Sequence, residues 1–244
     1  MTRPWRTLES IATHEGKLEL RQRGDDEFLL VIAGRVLMTS SARRSEEALA
    51  VLACQRLVGR KSPHLLIGGL GMGYTLRAAL DALDGTARIT VAELNPAIVQ
   101  WCRGPLAALT AGAALDRRVL VEIRDVARRI GEASPGSLDA ILLDLYEGPN
   151  TPHQRAEDPF YGPKALGRAH AALSAGGALA VWSEDADPAF KQRLLAAGFE
   201  VSTHRAGRGG RTHIIYLAIK AMPKAKAEAA SARRPLPRSP RARK

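Results

Sequence analysis

A glycine-rich turn between a short apolar strand and a helix constrains the fold of this chain more than any other feature. Residues 65–67 are apolar, residues 68–73 contain four glycines, and residues 75–83 have helical spacing. Residues 88–92 form a second strand-like segment that ends at Glu93. A strand, a turn, a helix and a strand in this order predict the first β-α-β unit of a Rossmann-like, nucleotide-binding sheet.

The turn and the acid behind it have the chemistry of a nucleoside site. Glycines let the backbone approach a ligand closely, and the following helix presents free N–H groups to it. Glu93 follows Gly71 by 22 residues, close to the roughly 20 at which an acid binds ribose hydroxyls. The predicted nucleoside-binding residues of this unit are Gly68, Gly69, Gly71, Gly73, Glu93 and Leu94. The alternative for the glycines is a tight structural turn.

Strand and helix patterns alternate along the rest of the chain. Strands are predicted at residues 119–123, 138–143, 178–182, 199–201 and 213–218, and helices at residues 163–173 and 188–197. The alternation predicts a mainly parallel sheet, and the last two strands, which no helix separates, predict an antiparallel hairpin at its edge. Ahead of the glycine turn, residues 9–38 have the pattern of a small β-meander. A helix over residues 45–57 follows, with Ser45 placed to cap it.

The composition argues against membrane, secreted and metal-binding classes. The chain has 244 residues, 45% of them hydrophobic, which suffices for the core of an α/β domain. It has no apolar run of about 18 residues or more that would span a membrane, and no apolar segment follows its N-terminal charges as in a secretory signal. Its two cysteines and its histidines lack metal-ligand spacing. We expect a cytoplasmic protein without a bound metal.

Most of the net charge of +11 lies at the C-terminal end. Residues 221–244 contain eight Lys and Arg and one Glu, which leaves a formal charge of +4 for residues 1–220. The segment is rich in Ala, Pro, Ser and Arg without apolar periodicity, so we expect it to be disordered. It is either a solubilising extension or a nonspecific contact for nucleic acid or another anionic surface.

Two further acids follow predicted strands, as Glu93 does. Asp125 comes two residues after strand 119–123, and Asp144 directly follows strand 138–143. Ligands of open α/β sheets bind at the carboxyl ends of the strands, so the three acids would face one crevice, although such acids also cap helices and close turns. A ribose acid, an adenine acid and a polar group at the fourth strand favour a sulfonium-nucleoside transferase over a dinucleotide dehydrogenase. We predict that Asp125 and Val126 contact the adenine.

The chain resembles the polyamine aminopropyltransferase (spermidine synthase) family of S-adenosylmethionine-dependent transferases. The segments that carry the resemblance are Glu46, Ile67-Gly68-Gly69, residues 91–99, Arg124-Asp125, residues 139–144, Phe160-Tyr161 and residues 173–177. It implies a class I methyltransferase-like catalytic domain at residues 45–220, behind a small N-terminal β region at residues 1–44 and ahead of the basic tail at residues 221–244. It also implies that Glu93 binds the ribose, Asp125 the adenine amino group, and that Asp144 helps to deprotonate an attacking amine.

Three segments depart from the pattern of that family. The family's glycine loop contains an aspartate that holds the amino group of the aminopropyl chain, whereas this loop has Leu70 and Met72. Arg44-Ser45-Glu46 stands in place of Tyr-Gln/His-Glu, and Asp144-Leu145-Tyr146-Glu147 stands in place of Asp-Ser-x-Asp. We therefore predict an intact nucleoside site beside an altered acceptor site, with Asp144, Tyr146 and Glu147 as the catalytic residues.

These observations favour a transferase that moves an aminopropyl or methyl group to a small amine. The donor would be S-adenosylmethionine or its decarboxylated form. One alternative is an RNA or protein methyltransferase that uses the basic tail as a tether, and another is an inactive nucleoside-binding module. The resemblance makes a homodimer plausible, and we expect no membrane partner.

Overall fold

The computed structural model of the chain describes residues 3–146, 148–150, 157–207 and 212–222, which form two β-sheets and six α-helices. The smaller sheet is antiparallel and lies at the N-terminal end, with its strands in chain order. These strands are β1 (Arg6–Thr13), β2 (Gly16–Arg23), β3 (Glu27–Ile32) and β4 (Arg35–Thr39). The predicted β-meander is therefore confirmed, with one more strand than its pattern indicated.

The larger sheet has seven strands in the order β10-β11-β9-β8-β5-β6-β7. The strands are β5 (His64–Gly68), β6 (Arg88–Glu93), β7 (Val119–Ile123), β8 (Leu138–Leu143), β9 (Leu173–Ser183), β10 (Phe199–Ala206) and β11 (His213–Lys220). Strands β5 to β9 are parallel, and β11 is antiparallel to both β9 and β10. The predicted parallel sheet with an antiparallel C-terminal hairpin is thus confirmed.

Six helices connect and flank these strands. They are α1 (Arg44–Gln55), α2 (Tyr74–Ala82), α3 (Pro96–Arg103), α4 (Val126–Gly131), α5 (Pro163–Ala172) and α6 (Pro188–Ala196). Helices α1 to α3 cover one face of the sheet, where Leu49 and Trp101 are buried. Helices α4 to α6 cover the other face with Leu166 and Phe190. Because both faces are covered, the central strand β8 is an almost continuous apolar run.

The strand order places a topological switch point between β5 and β8. From β5 the chain continues to β6 and β7 on one side, and it then crosses to β8 and β9 on the other. Gly68 at the end of β5 pairs with Ala92 of β6 and with Leu143 of β8. The segments that follow these three strands therefore meet at one edge, which is where ligands of open α/β sheets bind.

The N-terminal sheet packs against the part of the larger domain that carries the glycine turn. The indole N–H of Trp101 on α3 donates to the carboxylate of Glu9 on β1 at 2.6 Å. The backbone N–H of Met72 in the turn donates to the sulfur of Met38 on β4 at 3.3 Å. The hydroxyl of Tyr74 donates to the carbonyl that follows β4, at Ser40. The small sheet thus supports the glycine turn directly.

Two local predictions were wrong. Helix α1 begins at Arg44 after an N-cap at Arg43, so Ser45 lies inside the first turn and leaves its hydroxyl for other partners. Strand β9 begins at Leu173 instead of residue 178, because Gly176 adopts a φ of 70° and the strand continues through a bulge opposite β8. The domain boundaries at residues 44 and 220 stay predictions, and residues 223–244 of the basic tail lie outside the described residues. In the part of the chain that the structure describes, no helix is long and apolar enough to cross a membrane.

Candidate active site

The glycine turn contacts both the residue that follows β8 and the residue that ends β6. A Cβ atom at Gly69 would lie 2.6 Å from the carbonyl oxygen of Asp144, and Gly69 has a φ of 86°. A side chain there would clash with backbone and strain the chain, so only glycine fits. The next residue, Leu70, donates its backbone N–H to the carboxylate of Glu93 at 2.8 Å. The turn therefore joins Asp144 and Glu93 at the switch point.

The later glycines of the turn lead into α2. Gly71 packs against the sulfur of Met38, where an added Cβ would lie at 3.0 Å. Gly73 is the N-cap of α2 and also has a left-handed backbone conformation. Together with Gly68, which ends β5, these residues lie where the sequence places a nucleoside-binding turn.

Glu93 is buried, and both of its carboxylate oxygens accept hydrogen bonds from the backbone. Oε2 accepts from the N–H of Leu70 and Oε1 from the N–H of Asn95, each at 2.8 Å. Burial raises the pKa of Glu93 above its ordinary value, and hydrogen bonds from the backbone N–H groups of Asn95, Leu70 and Leu94 oppose that shift. A carboxylate has about four acceptor sites, so acceptor capacity is left on Glu93. Glu93 can thus position the turn and still accept hydroxyl groups.

Asp125 is the N-cap of α4, and its Oδ1 accepts the backbone N–H of Arg128 at 3.0 Å. The structure thus shows the capping alternative for one of its oxygens. At the ends of the paired strands β6 and β7, the large apolar side chains of Leu94 and Ile123 are 58% and 53% exposed. The side chain of Val126 is buried and packs close to Gly68. Exposed apolar groups beside a carboxylate form a surface that suits a nucleobase.

Asp144 is held at the start of the loop after β8. Its backbone N–H donates to the carbonyl of Gly68 at 3.0 Å, and its Oδ2 accepts the hydroxyl of Thr75 at 2.6 Å. Burial of the carboxyl group and the nearby charge of Glu46 raise the pKa of Asp144 to about 7, and the bond from Thr75 opposes this shift. A carboxyl group with this pKa exchanges protons near neutral pH, as a general base does.

Of the other two predicted catalytic residues, the structure describes Tyr146 but not Glu147. Tyr146 is 43% exposed, and the guanidinium of Arg35 on β4 lies 5.5 Å from the centre of its ring. The N-terminal sheet therefore reaches the loop after β8 as well as the glycine turn. Glu147 lies outside the described residues, so its predicted role stays a prediction.

Sequence reasoning missed a group of polar side chains beside Asp144. The hydroxyl of Ser45 donates to Oε2 of Glu46 at 2.6 Å and lies 3.1 Å from Nδ1 of His213. The ring of His213 in turn contacts the ring of Trp182, with 4.8 Å between ring centres. The sequence signal for Thr75 was its place at the start of the helix after the glycine turn. The contact of His213 with Trp182 had no such signal, because it depends on β11 lying next to β9.

Metal-ligand geometry is not found at this site. Within the described residues, no group of three or more His, Cys, Asp or Glu side chains is arranged to hold a metal ion.

Comparison with known sequences gives one consistent match. The chain is 30% identical over 167 residues to the polyamine aminopropyltransferases of two Mycobacterium tuberculosis strains and of Mycobacterium bovis. The match covers 68% of this chain but only 30% of each relative. No protein-family model matches the chain.

Comparison with solved structures gives spermidine synthases as structural neighbours. A spermidine synthase from Thermotoga maritima superimposes with a TM-score of 0.68 and 17% identity, over 91% of this chain and 75% of that one. A spermidine synthase in complex with the transition state analogue AdoDATO gives a TM-score of 0.71, again with 17% identity, over 91% and 76% of the two chains. A probable spermidine synthase from Corynebacterium glutamicum gives 0.62 with 20% identity, over 93% and 84%.

These likenesses place the seven-stranded sheet and the N-terminal sheet in one known architecture. The sequence match is independent of the superposition. The chain therefore has the fold of the spermidine synthases and is related in sequence, over 167 residues, to the polyamine aminopropyltransferases.

Proposed function

We propose that this chain is an aminopropyltransferase, which moves the aminopropyl group of decarboxylated S-adenosylmethionine to a small amine. The observation that carries the proposal is the meeting of Glu93, the glycine turn and Asp144 at the switch point, in a chain related to polyamine aminopropyltransferases. The matched relatives are more than three times as long as the matched segment, which is 30% of their length. The proposal therefore rests on the residues of this chain.

The donor nucleoside would bind along the ends of β5, β6 and β7. Glu93 is placed to accept a ribose hydroxyl, since its hydrogen bonds from the backbone leave acceptor capacity on the carboxylate. Leu94 and Ile123 offer apolar surface for the adenine, and Asp125 offers a carboxylate for the adenine amino group. The backbone of the glycine turn would lie along the rest of the nucleoside.

Asp144 supplies the base in the proposed reaction. The nitrogen of the acceptor forms a bond to the carbon next to the sulfonium, the carbon–sulfur bond breaks, and its electron pair stays on sulfur, which leaves as the neutral thioether methylthioadenosine. The nitrogen must lose a proton, and the carboxylate of Asp144 accepts it. A pKa of about 7 suits this transfer, because a general base works best when its pKa is near the working pH.

One observation favours a second candidate function, methyl transfer from S-adenosylmethionine at the same site. The glycine turn contains Leu70 and Met72 where an acid would hold the amino group of the aminopropyl chain, and both side chains are buried. The turn thus offers backbone but no carboxylate to that amino group. The choice between the two donors is an outcome of the binding experiment.

Calorimetric titration of the purified protein with decarboxylated S-adenosylmethionine, S-adenosylmethionine and methylthioadenosine tests the proposal. We expect the decarboxylated donor to bind more tightly than S-adenosylmethionine. Glu93→Ala should weaken the binding of all three by about 100-fold or more, because it removes charge-assisted bonds both to ribose and to the turn.

Glu200→Ala is the matched control, since Glu200 is exposed on the outer strand β10, and it should bind as the wild type does. Thermal unfolding of both variants separates loss of binding from loss of fold. Preference for S-adenosylmethionine would select the methyl-transfer candidate, and no binding of any of the three would overturn the donor assignment.

A further inference from the structure

The side chains of Trp182 and His213 lie on the same face of the sheet, beside Asp144. Trp182 of β9 pairs with Ile215 of β11, so these two side chains share a face. His213 is two residues from Ile215 along the strand and therefore points to that face too. Helix α1 covers this face, and its first turn carries Ser45 and Glu46. The two rings and the first turn of α1 thus lie on one side of the sheet, where the charge of Glu46 acts on Asp144.

Hydrogen bonding to Ser45 fixes which nitrogen of His213 carries the proton. A hydroxyl group has one hydrogen to donate, and Ser45 gives it to the carboxylate of Glu46 at 2.6 Å. At its contact of 3.1 Å with Nδ1 of His213, Ser45 must therefore accept, and Nδ1 must donate. In the neutral imidazole, Nε2 is then a lone pair that accepts a hydrogen bond. The site thus presents one acceptor at His213.

The indole nitrogen of Trp182, in contrast, is a hydrogen-bond donor. Its N–H is buried and has no hydrogen-bond partner among the described residues. Buried N–H groups in native proteins are nearly always paired, and each exception calls for an explanation. The loop after β8 passes over the backbone of Trp182, since a Cβ atom at Gly148 would lie 3.1 Å from its carbonyl oxygen. A ligand that accepts a hydrogen bond from the indole N–H would account for this unpaired donor.

We propose that the acceptor of this enzyme is an amino alcohol, whose hydroxyl accepts a hydrogen bond from Trp182 and donates one to His213. A hydroxyl is both a donor and an acceptor, so it satisfies the indole N–H and the imidazole lone pair at once. The amine at the other end of the acceptor then lies near the carboxylates of Asp144 and Glu46. This inference rests on the proposed function and names the class of its acceptor.

The same two side chains discriminate against a diamine. The second nitrogen of a diamine is an ammonium group at neutral pH, with three donors and no acceptor. It would leave the buried N–H of Trp182 unpaired, which carries the full desolvation penalty of that group. A carboxylate in its place could accept from Trp182 but could not donate to His213. Of these three groups, the hydroxyl alone fits both partners.

Binding of matched acceptors in the presence of methylthioadenosine tests the inference without requiring turnover. The acceptors are amino alcohols, diamines and amino acids with the same carbon chain, compared at three, four and five carbons. We expect the amino alcohol to bind about 10-fold more tightly than the diamine and the amino acid at its best length. Equal binding, or preference for the diamine, would overturn the inference.

Variants of the two residues give the second readout. Trp182→Phe keeps most of the ring but removes the donor, and it should bring the affinities for the amino alcohol and the diamine within about twofold of each other. His213→Phe should weaken binding of the amino alcohol. His213→Gln, whose amide oxygen can accept at the position of Nε2, should restore part of the preference for the amino alcohol. Trp5→Phe and His204→Phe are the matched controls, because Trp5 stacks on Arg23 and His204 bonds Ser202 on β10.

Failure of this inference is distinct from failure of the proposed function. If methylthioadenosine does not bind, the nucleoside site is wrong, and that result is obtained before any acceptor is added. If it binds but Trp182→Phe leaves the preference among acceptors unchanged, the donor site stands and the amino alcohol assignment is overturned.

Discussion

Asp144 shows at the scale of single residues how the fold raises the proton affinity of a carboxylate. An exposed aspartate is ionised at neutral pH and binds protons weakly. Here the carboxyl group is buried, and Glu46 adds a second negative charge nearby, so the pKa rises from 3.8 to about 7. Thr75 favours the ionised form, because its hydroxyl donates a hydrogen bond to the carboxylate of Asp144 at 2.6 Å. Burial, charge and hydrogen bond together set a proton affinity that suits amine chemistry.

The raised pKa of Asp144 predicts a specific dependence of stability on pH. Between about pH 4 and pH 7 the folded protein holds a proton that the unfolded chain has released, so stability contributed by this group falls as the pH rises. Asp144→Asn removes the titration. Relative to the wild type, the variant should gain roughly 2–4 kcal/mol between pH 4 and pH 8, as measured by denaturant unfolding across that range. Parallel stability curves for the two proteins would contradict the burial of this carboxyl group.

The N-terminal sheet has a role at the scale of elements that its sequence does not reveal. Its strands show only the alternation of a half-buried meander. In the fold, Met38 on β4 contacts Gly71 and accepts the N–H of Met72, and Arg35 lies over the ring of Tyr146. The small sheet therefore supports the glycine turn and the loop after β8, which are the two segments that would surround the reacting groups.

Met38→Ala should accordingly weaken donor binding, because the turn loses a packing partner and one hydrogen-bond acceptor. We expect a several-fold rise in the dissociation constant of methylthioadenosine, together with faster hydrogen exchange at the amides of residues 71–73. Val36→Ala on the same strand is the control, since Val36 is 55% exposed. If both variants bind as the wild type does, the sheet does not support the site.

At the scale of the whole molecule, the sequence predicted the fold well, and it predicted that Glu93 and Asp144 follow strands that end at the same edge of the sheet. Strand periodicity, the glycines and the spacing to Glu93 are local signals, and the parallel order follows from the alternation of strands and helices. The position of Asp125 was also local, although the structure shows that one of its oxygens caps α4. The roles predicted for these residues stay predictions, as do the tethered-methyltransferase and inactive-module alternatives.

The proposed acceptor half of the site could not be predicted from the sequence, because its residues come from distant segments. Ser45 lies on α1, Trp182 on β9 and His213 on β11, and 168 residues separate Ser45 from His213. They meet only because β11 inserts between β9 and β10 and because α1 packs on the same face. Even the use of Ser45 was hidden, since its sequence context favoured a helix cap.

Product analysis tests the central claim most directly. The purified protein is incubated with an amino alcohol and either decarboxylated S-adenosylmethionine or S-adenosylmethionine, and the thioether products are identified by mass spectrometry. We predict methylthioadenosine from the decarboxylated donor, with a rate that falls by about 10²–10⁴-fold in Asp144→Asn. Formation of S-adenosylhomocysteine from S-adenosylmethionine, or no thioether from either donor with any amine, would contradict aminopropyl transfer by this chain.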